Sequence, residues 1–118
     1  MAFKKERLEK IIMREISSII MSDIKDDRIK FVSITNVNLT NDLSIATVFY
    51  TVFGNEGQKE NTSRVFNEAK GYIRSLLAKQ IKVKKVPELI FKYDISLEEG
   101  ERIEKILASI REKEESKQ

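Results

Sequence analysis

Leu43-Ser44-Ile45-Ala46-Thr47-Val48-Phe49-Tyr50-Thr51-Val52-Phe53 decides the fold. The stretch is rich in β-branched and aromatic residues, which suit a pleated, half-buried surface. Strand alternation puts Ala46, Val48, Tyr50 and Val52 on one face and Ile45, Thr47, Phe49 and Thr51 on the other. Thr40-Asn41-Asp42 just upstream is turn chemistry, because Asn and Asp tolerate left-handed backbone. Before that turn, Lys30 to Leu39 reads as another strand. Val32 and Ile34 alternate there, then Val37 and Leu39 alternate in the opposite phase, which predicts a bulge near Thr35-Asn36. The two strands are expected to form a hairpin.

Downstream, Gly54-Asn55-Glu56-Gly57 breaks the strand, and Asn61 or Thr62 is positioned to cap a helix. Val65, Phe66, Ala69, Ile73, Leu76 and Leu77 carry a helical stripe to about Lys79. Gly71 interrupts that stripe, and an internal glycine costs about 1 kcal/mol against alanine, so a kink is expected at Ala69-Lys70-Gly71. Pro87, the single proline, opens a third strand in which Leu89, Phe91 and Tyr93 alternate with polar residues. Ser96 with Glu99 reads as a capping box. Ile103, Ile106, Leu107 and Ile110 drive a last helix, and residues 111–118 form a polar tail. Upstream of the hairpin, Leu8, Ile11, Ile12, Ile16, Ile19 and Ile20 make residues 4–21 an amphipathic helix. Asp23 to Arg28 is a charged connection. No repeat or linker divides the chain, so residues 1–118 are expected to form one α+β domain: a three-stranded sheet with helices on one face and an extra C-terminal helix. The order fits the type II KH arrangement, in which the strand pair precedes the helix pair.

Composition narrows the chemistry. Among 118 residues there is no cysteine and no histidine. That removes disulfides, thiolate ligands and the commonest general base near neutral pH. No stretch approaches the roughly 20 apolar residues of a spanning helix, and no secretory leader is expected from Met1 to Arg7. The balance favours a cytoplasmic binding domain over an enzyme, with no cofactor. The net charge is only +3, but residues 61–95 hold eight basic and three acidic side chains. Lys70, Arg74, Lys79, Lys82, Lys84 and Lys85 follow one another with no intervening acid. A one-signed field of this kind is the footprint of a polyanion site. Arg7, Lys10 and Arg14 recur at helical spacing and form a second basic line.

The chain also resembles a known family. Ala69-Lys70-Gly71-Tyr72-Ile73-Arg74-Ser75, the basic run after it and Pro87-Glu88-Leu89-Ile90-Phe91 are similar to bacterial ribosome-binding factor A. Arg7 with its helix, Asp26-Asp27-Arg28-Ile29, Asp42 to Val48, and Asp94 with Ser96, Gly100 and Ile103 agree in order. The resemblance runs from about Arg7 to about Ile110. It implies a KH-like RNA-binding domain whose glycine loop is replaced by an Ala-x-Gly kink, matched by Ala69, Lys70 and Gly71. It further implies association with the free small (30S) ribosomal subunit and late maturation of 16S rRNA, including its 5′ end, and it suggests an assembly GTPase as partner. Where the family has Asp-Pro-Arg, this chain has Asp26-Asp27-Arg28, which frees the backbone before the first strand.

The candidate RNA-binding residues are therefore Arg7, Lys10, Arg14, Ala69, Lys70, Gly71, Arg74, Lys79, Lys82, Lys84 and Lys85. Lysines meet phosphates as point charges and read no base sequence. Each taken singly is equally a solubilising surface charge, and Gly71 alone is equally a place where a neighbour packs closely. At the kink, exposed backbone N–H groups beside Lys70 and Arg74 are expected to receive phosphate. Ile45 and Phe49 are either a partner face or covered by the C-terminal helix, and cover is the expectation because strand-spaced aromatics usually pack. Asp26 and Asp27 lack a third ligand and make a weak metal signal. A monomer is expected, with no membrane partner. The rival function is a protein–protein adaptor without direct RNA contact, using the Ile45/Phe49 face.

Overall fold

Six elements follow one another in a computed structural model that describes residues 2–24, 29 and 31–116: α1 (Ala2–Ser22), β1 (Val32–Leu39), β2 (Ile45–Val52), α2 (Glu56–Gln80), β3 (Glu88–Tyr93) and α3 (Ser96–Ser116). The sheet order is β1-β2-β3. β1 and β2 are antiparallel, and their register slips between Ile34 and Asn36. The bulge falls where the change of alternation requires it. It lets Ile34, Val37 and Leu39 all point inward although their spacing is not uniformly even. β3 runs parallel to β2, pairing Ala46 with Leu89 and Val48 with Phe91. A parallel neighbour needs a long crossover, and α2 supplies it.

The turn between β1 and β2 is held by Asp42. Its carboxylate accepts the Thr40 hydroxyl at 2.7 Å, the Ser44 hydroxyl at 2.7 Å and the Ser44 N–H at 3.1 Å. These bonds favour the charged form and hold its pKa down at about 2. The left-handed residue is Leu43, at φ 61°, rather than Asn41 or Asp42. The half-buried Leu43 side chain packs against the core, which offsets a conformation that costs an L-residue of order 1–2 kcal/mol.

α1 and α2 lie side by side on one face of the sheet. α1 covers β1 with Ile12, Ile16, Ile19 and Ile20, and α2 lays Thr62, Val65, Phe66, Ile73 and Leu77 inward. Phe66 is the keystone: its ring stacks on Phe91 at 4.5 Å and meets Tyr50 edge-on at 4.8 Å. That joins α2 to both β2 and β3 through aromatic contacts.

Three expectations need correction. The first concerns the start of α2, which lies at Glu56, ahead of the Asn61–Thr62 cap. Asn55 accepts the Gln58 N–H at 2.9 Å and Gln58 Oε1 accepts the Asn55 N–H at 2.7 Å, a reciprocal cap that rescues a glycine-flanked start. Thr62 is buried in the helix interior and donates to the Gln58 carbonyl at 2.8 Å. The second concerns Ala69-Lys70-Gly71, through which α2 continues as one helix. Buried Phe66, Ile73 and Leu77 on either side outweigh the glycine penalty. The third concerns α3, which does not cover Ile45 and Phe49. The side chains described from Gly100 to Glu112 are exposed, and the molecule extends over 65 × 40 × 17 Å. Ser96 donates its N–H and its hydroxyl to Asp94, and the Glu99 side chain of the expected capping box lies outside the described residues. So do Asp26-Asp27-Arg28 and Lys30. The helix reaches Ser116, into the stretch read as a polar tail.

Candidate nucleic-acid interface

The basic residues sort onto three elements. On α1, Arg7, Lys10 and Arg14 are exposed. Their three- and four-residue spacing makes one row, on the side away from the buried Ile12 and Ile16. Arg14 leans on its neighbour Glu15 at 3.7 Å, a surface contact that leaves the arginine side chain 74% exposed. On α2, Lys70 and Arg74 are one turn apart and exposed. Lys79, nine residues beyond Lys70, falls about half a turn round the helix on the opposite flank.

The third group is the segment from Ile81 to Pro87. Ile81 caps α2, its N–H donating to the Leu77 carbonyl at 3.0 Å, and it is buried. Val86 is half-buried and Pro87 is buried. Between these anchors Lys82, Lys84 and Lys85 are all exposed. The segment is irregular rather than extended, so strand alternation does not divide the three lysines. Among the described residues no carboxylate pairs with Lys70, Lys79, Lys82, Lys84 or Lys85.

Arg74 does something the sequence did not disclose. Its Nη2 donates to the Val86 carbonyl at 2.8 Å and its Nε donates to the Pro87 carbonyl at 3.2 Å. The guanidinium therefore clips the far end of the lysine segment to α2. Arginine suits this task because its planar fork presents donors in a fixed geometry. Two of its donors are committed to backbone, so Arg74 positions the segment as well as adding charge.

Ala69 and Gly71 take no such part. Ala69 is half-buried against the core. Gly71 is exposed, and a Cβ there meets nothing within 4 Å. No close approach explains the glycine, and the unbroken helix leaves its backbone N–H groups engaged rather than offered to phosphate. One exposed aromatic on α2 went unweighed in the sequence. Tyr72 is 54% exposed, and it shares a flank with Lys79 seven residues on. An aromatic beside a cation is a surface on which an unpaired base stacks, and the i, i+7 spacing of Tyr72 and Lys79 was the available signal.

Among the described residues no group of carboxylates is gathered to hold a metal ion. No helix among them is long and apolar enough to cross a membrane. What the arrangement offers is positive charge on a rigid frame: two helical rows and a clipped segment, with the exposed Tyr72 on α2.

Comparison with known proteins agrees in sequence and in shape. A family model described as ribosome-binding factor A matches residues 4–107. A protein named ribosome-binding factor A from Halothermothrix orenii is 44% identical over 110 residues, covering 93% of this chain and 90% of its own. One from Syntrophomonas wolfei is 47% identical over 111 residues, covering 92% and 91%. The crystal structure of ribosome-binding factor A from Thermus thermophilus superposes with a TM-score of 0.69 at 25% identity, covering 75% of this chain and 93% of that one.

Proposed function

The chain belongs to the ribosome-binding factor A family, and from that premise we propose that it is a non-catalytic, cytoplasmic assembly factor that binds the free small (30S) ribosomal subunit. It docks on 16S rRNA and holds a segment of it during late maturation, including 5′-end processing. Its relatives' name supports the ribosomal partner. The observation that carries the mechanism is the segment of Lys82, Lys84 and Lys85, exposed and clipped to α2 by Arg74. Lysines held on a fixed frame meet phosphates at defined spacing without loss of backbone freedom on binding.

Arg7, Lys10 and Arg14 on α1, with Lys70 on α2, extend the contact, and on the opposite flank of α2 Lys79 lies beside Tyr72, which stacks on an unpaired base. Specificity comes from the shape of the RNA, since an RNA duplex hides its base edges in a deep, narrow groove. The factor acts as a monomer, and an assembly GTPase supplies the energy for its release.

Replacing Lys82, Lys84 and Lys85 together by glutamate tests this. Affinity for purified small subunits is expected to fall at least tenfold while the melting temperature stays near wild type. For the wild type, about five phosphate contacts give a log–log salt slope near −4. Binding that survives charge reversal with a flat salt response overturns the electrostatic mechanism and favours a protein–protein adaptor.

A further inference from the structure

Among the described residues, two apolar surfaces near the root of α3 are left bare. One is the stripe of α3, where Ile103, Ile106, Leu107 and Ile110 are each 48–57% exposed. The other is the sheet face turned away from α1 and α2, which carries half-buried Ile45 and Phe49 and exposed Ile90. α3 departs from this second face. The Tyr93 ring lies 4.7 Å beneath Lys59 of α2, so alternation turns the next residue, Asp94, to the other side. Its carboxylate accepts the Ser96 N–H at 2.9 Å and the Ser96 hydroxyl at 2.6 Å, and also the Thr35 hydroxyl at 2.5 Å. Thr35 belongs to β1 and Asp94 follows β3, so this last bond passes over β2. The root of α3 is pinned above the bare face rather than beyond the sheet edge. Gly100 lies one turn in, with open space around it, and an internal glycine is a weak point in a helix.

We propose that α3 is a strap that closes over its own sheet, laying Ile103 on Ile90 and laying Ile106 and Leu107 on Ile45. The lengths match. A helix rises about 1.5 Å per residue, which puts Ile103 about 10 Å from Ser96 and Ile106 and Leu107 about 15–17 Å away. Strand residues advance about 3.3 Å, which puts the Thr47–Ile90 rung about 10 Å and the Ile45–Glu88 rung about 17 Å back from the Tyr50–Tyr93 rung. A helix running back along β3 therefore sets Ile103 against Ile90 and sets Ile106 and Leu107 against Ile45, while Phe49, about 3 Å from the Tyr50–Tyr93 rung, falls beneath its first turn. Closure leaves α1, α2 and the lysine segment uncovered, since they lie on the opposite side or beyond the sheet.

The absence of cysteine makes the test clean. Full-length protein carrying Ile90→Cys with Ile103→Cys is oxidised mildly at low concentration and compared with Ile90→Cys with Glu101→Cys, whose second thiol sits on the far side of α3. The first pair is expected to form an intramolecular disulfide at least tenfold faster. Equal rates overturn the strap. Crosslinks only between chains also overturn it and assign the face to a second copy. Hydrogen exchange provides a second reading: Ile45→Glu is expected to speed exchange across residues 103–110 at least tenfold, and unchanged exchange overturns the proposal.

Discussion

Gly71→Ala is expected to stabilise the protein. Gly71 sits inside a continuous α2, carries no positive φ, and has no heavy atom within 4 Å of where a Cβ would stand. No steric cost therefore opposes the gain in helix propensity, which is about 1 kcal/mol in an exposed helix interior. Part of that gain comes from restricting the unfolded chain. For a domain of this size it corresponds to a rise of about 4 °C in melting temperature. Thermal and urea denaturation followed by circular dichroism read it directly, with an unchanged m-value showing that the native state is the same. A lower melting temperature would refute the reasoning. It would mean that the helix bends at Gly71 or that another element approaches there. A stabilised variant with weakened binding to small subunits would instead show that RNA approaches the backbone at this glycine.

Arg74→Gln removes the clip on the Val86 and Pro87 carbonyls. It is expected to cost about 1–2 kcal/mol and to weaken small-subunit binding further than loss of one charge; Arg74→Lys, lacking the fork, recovers the charge without recovering the binding. Acid stability follows the turn carboxylate. The pKa of Asp42 is lowered from 3.8 to about 2, so its contribution is present above 3.8 and is lost as pH falls towards 2. Urea midpoints measured across that window are expected to fall more steeply for wild type than for Asp42→Asn. Asp94 is lowered too, by its bonds from Ser96 and Thr35, so acid is expected to loosen the root of α3, read as faster exchange at Ser96.

The strands were legible because their signals are local. The change of alternation between Ile34 and Val37 announced the bulge, and the β-branched run from Ile45 to Val52 announced its strand. The start of α2 was hidden because Gly54 and Gly57 read as a break. Only the paired bonds of Asn55 and Gln58 overrule them, and propensity does not foresee such a pair. The interruption at Gly71 failed for a related reason: propensity weighs the glycine, whereas burial of Phe66, Ile73 and Leu77 decides. The positive side chains of the candidate interface were visible as a run without acids. The commitment of Arg74 to carbonyls 12 and 13 residues away was not, since sequence shows charge and not what it touches.

The mixed sheet has a consequence for how the protein is made. The hairpin of β1 and β2 closes over a short turn, while β3 joins β2 only after the whole of α2. Non-local pairing carries the larger entropic cost and forms late. A chain growing from its N-terminus therefore carries β2 with one edge open until Tyr93 has been synthesised, and an open edge invites pairing with other chains. Completion of the sheet is thus a late event in the birth of each molecule, and its most vulnerable interval is the translation of α2.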